Sequence, residues 1–301
     1  MDRTNAERRP AALDAGLDQA LNWLMALTLK KRINSWLVRS TGYQVTRAVA
    51  PPKLHLYEIA KKPKHPLYLN VGAGRWSHPL WHTLDNPDPH YGKSLHSEIA
   101  FDLTSGQPWP IETASLAIVY SSHTIEHLSD RYVSQMLSEA RRCLRPGGTI
   151  RLTTPDMDLI CDAYARGDKQ FFERWARMRS RGPWEIEQIM VMEFAGPITI
   201  YCKNNLPKVN SAEIAKSFSS MPRHEFLDRY AYQIPDSAVR SDPKEHKTWF
   251  TGAKLCAMLT EAGFQNARQC RYGQSHNAIL RDTGYFDHAN PDITLYCEAT
   301  A

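Results

Sequence analysis

The architecture of the chain is decided at Leu67-Tyr68-Leu69-Asn70-Val71-Gly72-Ala73-Gly74. Five residues suited to a short buried strand run directly into Gly-x-Gly, where no Cβ stands between the backbone and an approaching ligand. Further on, Trp81-His82-Thr83-Leu84-Asp85 predicts a second strand ending in an acid, with ten residues between Gly74 and that acid. A carboxylate in that place can accept hydrogen bonds from both hydroxyls of a ribose. Working outward, Leu116 to Tyr120 predicts a third strand. Asp130 to Leu144 predicts a helix, with Val133, Met136, Leu137, Ala140 and Leu144 on one face. Pro146-Gly147-Gly148 marks a turn, and Thr149 to Thr153 the next strand. Strands alternating with helices predict an α/β protein with a mostly parallel sheet covered on both faces.

The rhythm breaks over 156–245, where helical stretches (157–178 and about 211–230) and many aromatics occur without a strand–helix repeat. This segment reads as a mostly helical insertion over the carboxyl edge of the sheet. The rhythm resumes with a helix from Thr251 to Ala262, a strand from Asn266 to Arg271 and a last strand from Ile293 to Glu298. The predicted organisation is a helical extension and linker over 1–65, a core over 66–155, a cap for substrate over 156–245, and the remainder of the core sheet over 246–301. Within the extension, Leu13, Leu17, Leu21, Leu24 and Leu27 recur at helical spacing in 12–41, and Lys30-Lys31-Arg32 follows an almost wholly apolar stretch. That helix suits packing on the core, dimerisation, or peripheral contact with an anionic membrane surface.

Composition narrows the class. With 42% hydrophobic and 23% charged residues the chain has the makeup of a globular protein, and no run approaches the roughly 20 apolar residues of a membrane span. The six cysteines stand singly, with no Cys-x-x-Cys pair, so neither a zinc knuckle nor a dithiol redox motif is written here. A reduced, cytoplasmic setting is expected, with membrane association through 12–41 as the alternative. Residues 1–66 carry 12 Lys or Arg against 5 Asp or Glu, and the rest of the chain is slightly acidic. A nucleic-acid partner is therefore not expected for the core.

Taken in order, these pieces resemble the class I S-adenosylmethionine-dependent methyltransferases. Asn70-Val71-Gly72-Ala73-Gly74 resembles their first motif and Asp85 their ribose-binding acid. Phe101-Asp102-Leu103 resembles the acidic loop that contacts adenine, and Ile118 to Leu128 the fourth strand and following helix of the type 11 branch. Leu144 to Thr149 resembles the turn before the fifth strand, and Ala262-Gly263-Phe264 with Leu295 to Ala299 the last hairpin. The resemblance implies a Rossmann-like sheet, parallel with an antiparallel last strand, and S-adenosylmethionine as cofactor. It places Asn70, Gly72, Ala73, Gly74, Asp85, Asp102, Leu103, Ser121 and Ser122 at the cofactor. Two departures stand out. Asn70 replaces the acid common at that place. A dinucleotide-binding unit puts its ribose acid about 20 residues after the glycines, following a full helix, whereas only ten residues separate Gly74 from Asp85. The first helix must be very short or absent, and a dinucleotide enzyme is disfavoured. The same spacing resembles methyltransferases associated with surface-glycan clusters.

Methyl transfer from an activated sulfonium needs mainly alignment, and an oxygen nucleophile also needs its proton removed. His123, Glu126 and His127, at i, i+3 and i+4, follow the strand bordering the cofactor site. His127 or His123 can act as a base. Alternatively His123, Glu126 and His127, joined by His246 after the insertion, can hold a divalent metal, softer than magnesium because of the imidazoles. Ubiquinone-pathway and small-RNA 3′-end methyltransferases carry a similar Glu-x-x-Glu-His there. The same letters spell an inverzincin protease motif, but the context of a buried strand in a methyltransferase-like array is wrong for one. Asp156 either faces substrate or caps the next helix. Tyr201, Trp184 and Trp249 either wall a sugar site or form the core of the insertion. The expected activity is methyl transfer to a hydroxyl of a saccharide or other small polar acceptor. Tailoring of a secondary metabolite and a catalytically silent scaffold are the alternatives.

Overall fold

The computed structural model describes residues 53–86, 97–178, 184–196, 202–203, 206–207, 209–237 and 245–301. The predicted helix over 12–41 and Tyr201 lie outside the described residues. Among the described residues no helix is long and apolar enough to cross a membrane.

The quoted opening stretch forms β1 (Tyr68–Val71), every residue of which is buried. Burial on both faces is what a central parallel strand requires. On one side β1 pairs in parallel with β2 (His82–Asp85), and β2 with β3 (Ile99–Ala100). On the other side β1 pairs in parallel with β4 (Leu116–Ser122), and β4 with β5 (Leu144–Pro155). β8 (Gln265–Cys270) and β9 (Thr294–Thr300) complete the sheet in the order β3-β2-β1-β4-β5-β9-β8. β9 is antiparallel to both β5 and β8, so it alone runs against the other strands. A separate hairpin pairs β6 (Cys202–Lys203) with β7 (Leu206–Pro207). β3, only two residues long, is the sheet strand that the sequence pattern does not announce.

Register and alternation sort the core into two layers. Leu69 pairs with Val119 and points to one face, while Tyr68 pairs with Ile118 and points to the other. The first face is covered by α1 (Asp130–Cys143), through Val133, Met136, Leu137 and Ala140, and by α7 (Gly252–Glu261), through Leu255 and Leu259. The second face shows why no helix is needed between β1 and β2. Trp76, His78 and Trp81 from that short connection stack with Tyr57, Tyr285 and Phe286, the His78 and Tyr285 rings lying 4.5 Å apart. Burial pushes the His78 imidazole down to about 4, so it is neutral at physiological pH. It accepts from the Leu80 amide on Nδ1 and meets the Tyr57 hydroxyl on Nε2.

The insertion is helical, as expected, but more finely divided. The predicted stretch over 157–178 is two helices, α2 (Met157–Ala165) and α3 (Lys169–Met178), separated at Arg166-Gly167-Asp168. Next comes α4 (Ile186–Met192). The stretch near 211–230 divides into α5 (Ser211–Ser220) and α6 (Arg223–Ala231) at Met221-Pro222, where Met221 is held extended by the proline that follows it. The insertion has its own core of Met157, Ile160, Phe172, Ile189, Phe194, Phe226 and Leu227. Trp249 belongs to this core and Trp184 packs against it, so these two tryptophans are structural.

A buried ion network ties the final loop to the sheet. Arg151 on β5 and Asp287 are fully buried, with Nε to Oδ1 at 2.9 Å and Nη2 to Oδ2 at 2.5 Å; Glu298 lies 3.4 Å from Nη1. Removing one partner of such a network strands the other charge in a dry interior. Asp287→Ala is expected to cost about 3–5 kcal/mol in urea unfolding; a loss below about 1 kcal/mol would show that Glu298 alone satisfies the guanidinium.

Candidate functional site

A cleft of about 670 Å³ opens at the carboxyl ends of β1, β2 and β4, where ligands settle on open α/β sheets. Its size is that of a pocket for a cofactor or small molecule. Gly72, Ala73, Gly74, Asp85, Asp102, Leu103 and Ser122 all line it, with Thr104, Thr124 and Leu128.

The glycines are there for different reasons. Gly72 has φ +68°, and a Cβ placed on it would come within 2.2 Å of Thr124 Oγ1 and Cγ2. The loop after β4 therefore sits directly against the tip of β1. Gly74 has φ +56° and nothing within 4 Å of such a Cβ, so here the glycine serves backbone conformation and leaves the cleft open. Its amide donates to Asp85 Oδ2 at 2.7 Å, and the Asn86 amide donates to Oδ1 at 2.7 Å. The Asp85 carboxylate is thus aimed by backbone at the end of β2. Burial raises its pKa, against the pull of those two amides. Asp102 is fixed by its own turn, Oδ1 accepting from both the amide and the hydroxyl of Thr104 at 2.8 Å.

Four predicted site residues are not among those lining the cleft: Glu126, which lies behind His127, and Asn70, Ser121 and Asp156. Asn70, two residues short of the β1 tip, is buried within the sheet, and its Oδ1 has no partner. Ser121 is buried and donates to Val71 O at 2.8 Å, bracing β4 against β1. Asp156 is consumed as the N-cap of α2, its Oδ1 accepting from the amides of Asp158 and Leu159. Of its two readings the capping one matches the structure.

The His123–His127 segment is not the continuous helix that i, i+3, i+4 spacing suggests. His123 has φ +50°, and only Ile125–His127 form a single 3₁₀ turn. The side chains separate accordingly. His123 Nδ1 lies 3.0 Å from Glu126 Oε1, and its Nε2 lies 2.9 Å from Thr294 Oγ1. The Thr294 hydroxyl donates to backbone carbonyls, so it accepts from His123, and the carboxylate accepts from the other nitrogen. Glu126 and Thr294 thus occupy both nitrogens of this half-buried ring. Burial opposes its charge, and Glu126 overrides that and raises its pKa. With both nitrogens engaged, His123 braces the Glu126 carboxylate.

Glu126, 1% exposed, is charged in turn. Burial works against its charge, but His123, His127 and His246 bring its pKa down to about 2. His127 donates Nδ1–H to Glu245 O at 2.9 Å, and His246 donates Nδ1–H to Glu193 O at 2.7 Å. A carbonyl can only accept, so in both rings Nδ1 is the nitrogen that carries the hydrogen. The two rings meet edge to face at 4.9 Å. Ligand atoms of Glu126, His127 and His246 all lie within 4.8 Å of one another, so the structure keeps three of the four predicted metal candidates together.

Sequence reasoning did not find Asp236 and Lys247, which line the far side of the cleft. No motif surrounds Asp236. The signal for Lys247 was its place after His246. The Lys247 and Thr248 amides donate to Glu126 O at 2.7 and 3.2 Å, and the Gly196 amide donates to His246 O at 2.8 Å. Residues 245–248 thus strap the insertion to the loop after β4.

The two glycines generate a contrast. Gly74→Ala is expected to cost only left-handed strain, about 1–2 kcal/mol. Gly72→Ala carries the same strain and must also displace Thr124, so its melting temperature should fall further, and Gly72→Ala/Thr124→Gly should recover part of the loss. Equal losses for the two single variants would contradict the close approach.

Comparison with known proteins follows the geometry. Residues 86–152, from the end of β2 through β5, match the family model of a methyltransferase domain, type 11. No curated protein matches the chain. Solved structures similar to it include an S-adenosylmethionine-dependent methyltransferase from Mesorhizobium loti, at 13% identity over 79% of this chain and 93% of that one, TM-score 0.38. Another, from Archaeoglobus fulgidus, has 13% identity over 90% and 94%, TM-score 0.36. On a sheet whose β9 alone is antiparallel, the methyltransferase-domain match over 86–152 supports S-adenosylmethionine-dependent methyl transfer as the chemistry of this cleft.

Proposed function

We propose that the enzyme methylates a hydroxyl of a saccharide or other small polar acceptor, with Glu126, His127 and His246 as a divalent-metal site beside the cofactor. One observation carries the reading: a single cleft is lined by the glycine tip, Asp85 and Asp102 together with the His127 and His246 imidazoles. In this arrangement the backbone at Gly72, Ala73 and Gly74 admits the methionine portion. Asp85 accepts from the ribose hydroxyls. Asp102, Leu103 and Ser122 border the adenosine, and the cap over 156–245 covers the acceptor.

The donor set fits a metal for a specific reason. Each histidine gives Nδ1–H to a backbone carbonyl, the support that fixes the tautomer and ring plane of metal-binding imidazoles. A carboxylate with two imidazoles suits zinc, manganese or iron better than magnesium. Bound there, the ion would lower the pKa of an acceptor hydroxyl next to the methyl donor. His123 holds the Glu126 carboxylate in place from behind.

Both halves can be measured without knowing the acceptor. Calorimetry with S-adenosylhomocysteine should show binding to the wild type and roughly ten- to hundredfold weaker binding to Asp85→Ala, the loss of charge-assisted bonds to ribose. Undiminished affinity would remove Asp85 from the ribose. Cobalt(II) added to EDTA-treated protein should give a visible d–d absorption that His246→Ala abolishes. Absence of that absorption in the wild type would leave His127 as a metal-free base.

A further inference from the structure

We infer that Cys256 and Cys297 form a thiol pair oxidised by hydrogen peroxide, in which Cys256 reacts first and Cys297 closes it into a disulfide that locks α7 to β9. The inference concerns a site away from the cleft and does not depend on the methyltransferase reading.

No dithiol motif is written in the sequence, but the fold assembles one. Cys256 stands on α7 and Cys297 on β9, 41 positions later, and the helix packs directly on that strand. Their sulfurs lie 4.0 Å apart, within hydrogen-bond reach of each other. A disulfide holds its sulfurs about 2 Å apart. An approach of about 2 Å therefore joins them, shared between rotation of the side chains and a small shift of the helix. Both cysteines are free thiols. Among the described residues no third ligand joins the pair in metal-binding range, so the chemistry open to two adjacent sulfurs here is redox.

The pair is asymmetric in the way a two-step oxidation requires. Cys297 is fully buried on a strand flanked by β5 and β8. Cys256 is half-buried and packs against the same core. The Cys297 S–H is placed to donate to the Cys256 sulfur. That bond favours the Cys256 thiolate and brings its pKa down to about 7, while Cys297 is pushed up. Thiolate is the nucleophilic form. Burial works in the opposite direction at Cys143, Cys161 and Cys270, whose thiols are all raised.

The steps balance with peroxide as the oxidant. The Cys256 thiolate attacks one peroxide oxygen, an S–O bond forms and the O–O bond breaks. Hydroxide leaves and takes up a proton as water, and Cys256 becomes a sulfenic acid. The Cys297 sulfur then attacks the Cys256 sulfur. The S–S bond forms, the S–O bond breaks, and the departing hydroxide takes the Cys297 proton as a second water. Two thiols have lost two electrons, and the peroxide has gained them.

The link has a structural consequence. Thr251 caps α7 and follows Trp249, Phe250 and the strap at 245–248 without interruption. A covalent bond from α7 to β9 anchors the segment into which that strap runs.

The test is peptide mapping of the native full chain after a small molar excess of hydrogen peroxide, with free thiols alkylated and no reductant added. Trypsin should release peptides 255–268 and 282–301 joined, two hydrogens lighter than their sum; each contains one cysteine. In Cys256→Ser, peptide 282–301 should stay unlinked, with Cys297 alkylated once the protein is unfolded. Hydrogen exchange of the α7 amides should slow by about tenfold in the linked protein relative to the reduced one. A Cys256 that stays a thiol, stops at the sulfinic acid, or links to another cysteine or a second molecule overturns the inference. Equal exchange in linked and reduced protein overturns the lock.

Discussion

Thr124 stands where a side chain at position 72 would begin, 2.2 Å from the place of its Cβ. That contact is possible only because Gly72 ends β1 in a left-handed turn, and much of the site follows from it. The loop after β4 is drawn onto the tip of β1, so the two strand ends face one space. Gly74, two residues on, reaches back to orient Asp85. On the other side of Thr124, the left-handed His123 turns its ring inward to Glu126 and leaves His127 toward the cleft. A bulkier tip would separate the carboxylate end of the site from the histidine end.

The second constraint is the strap at 245–248. Its amides close on Glu126 O, its carbonyl at Glu245 orients His127, and His246 is oriented by Glu193 of the insertion. The insertion and the loop after β4 therefore share one hydrogen-bonded seam. Displacement of the insertion would alter the tautomer-setting contacts of both imidazoles. The same seam carries Lys247 to the wall of the cleft.

Much of the fold was legible because the sheet is built from strong local signals. Tyr68–Val71 and Leu116–Ser122 are apolar runs ended by glycine or small polar residues, and α1 repeats its apolar face at helical spacing. The short distance from Gly74 to Asp85 correctly foretold a missing helix. What it could not foretell was the replacement, an aromatic cluster drawn from residues 57, 76–81 and 285–286 that are distant in the chain. β3 was missed because two residues carry no periodicity. At the site, spacing placed His123, Glu126 and His127 together but could not show that a positive φ at His123 breaks the helical register. The one-sided roles of Asp156 and Ser121 depend on where their side chains turn, which sequence spacing does not encode. Asp236 lies in no motif, and its part in the cavity wall arises from tertiary packing of the insertion.

The most direct measurement is a crystal structure with S-adenosylhomocysteine bound. The account predicts the ribose hydroxyls on Asp85, the adenine beside Asp102 and Leu103, and the sulfur facing the His127 and His246 end of the cleft. Adenosine density in another part of the molecule, or a sulfur directed away from those two imidazoles, would contradict it.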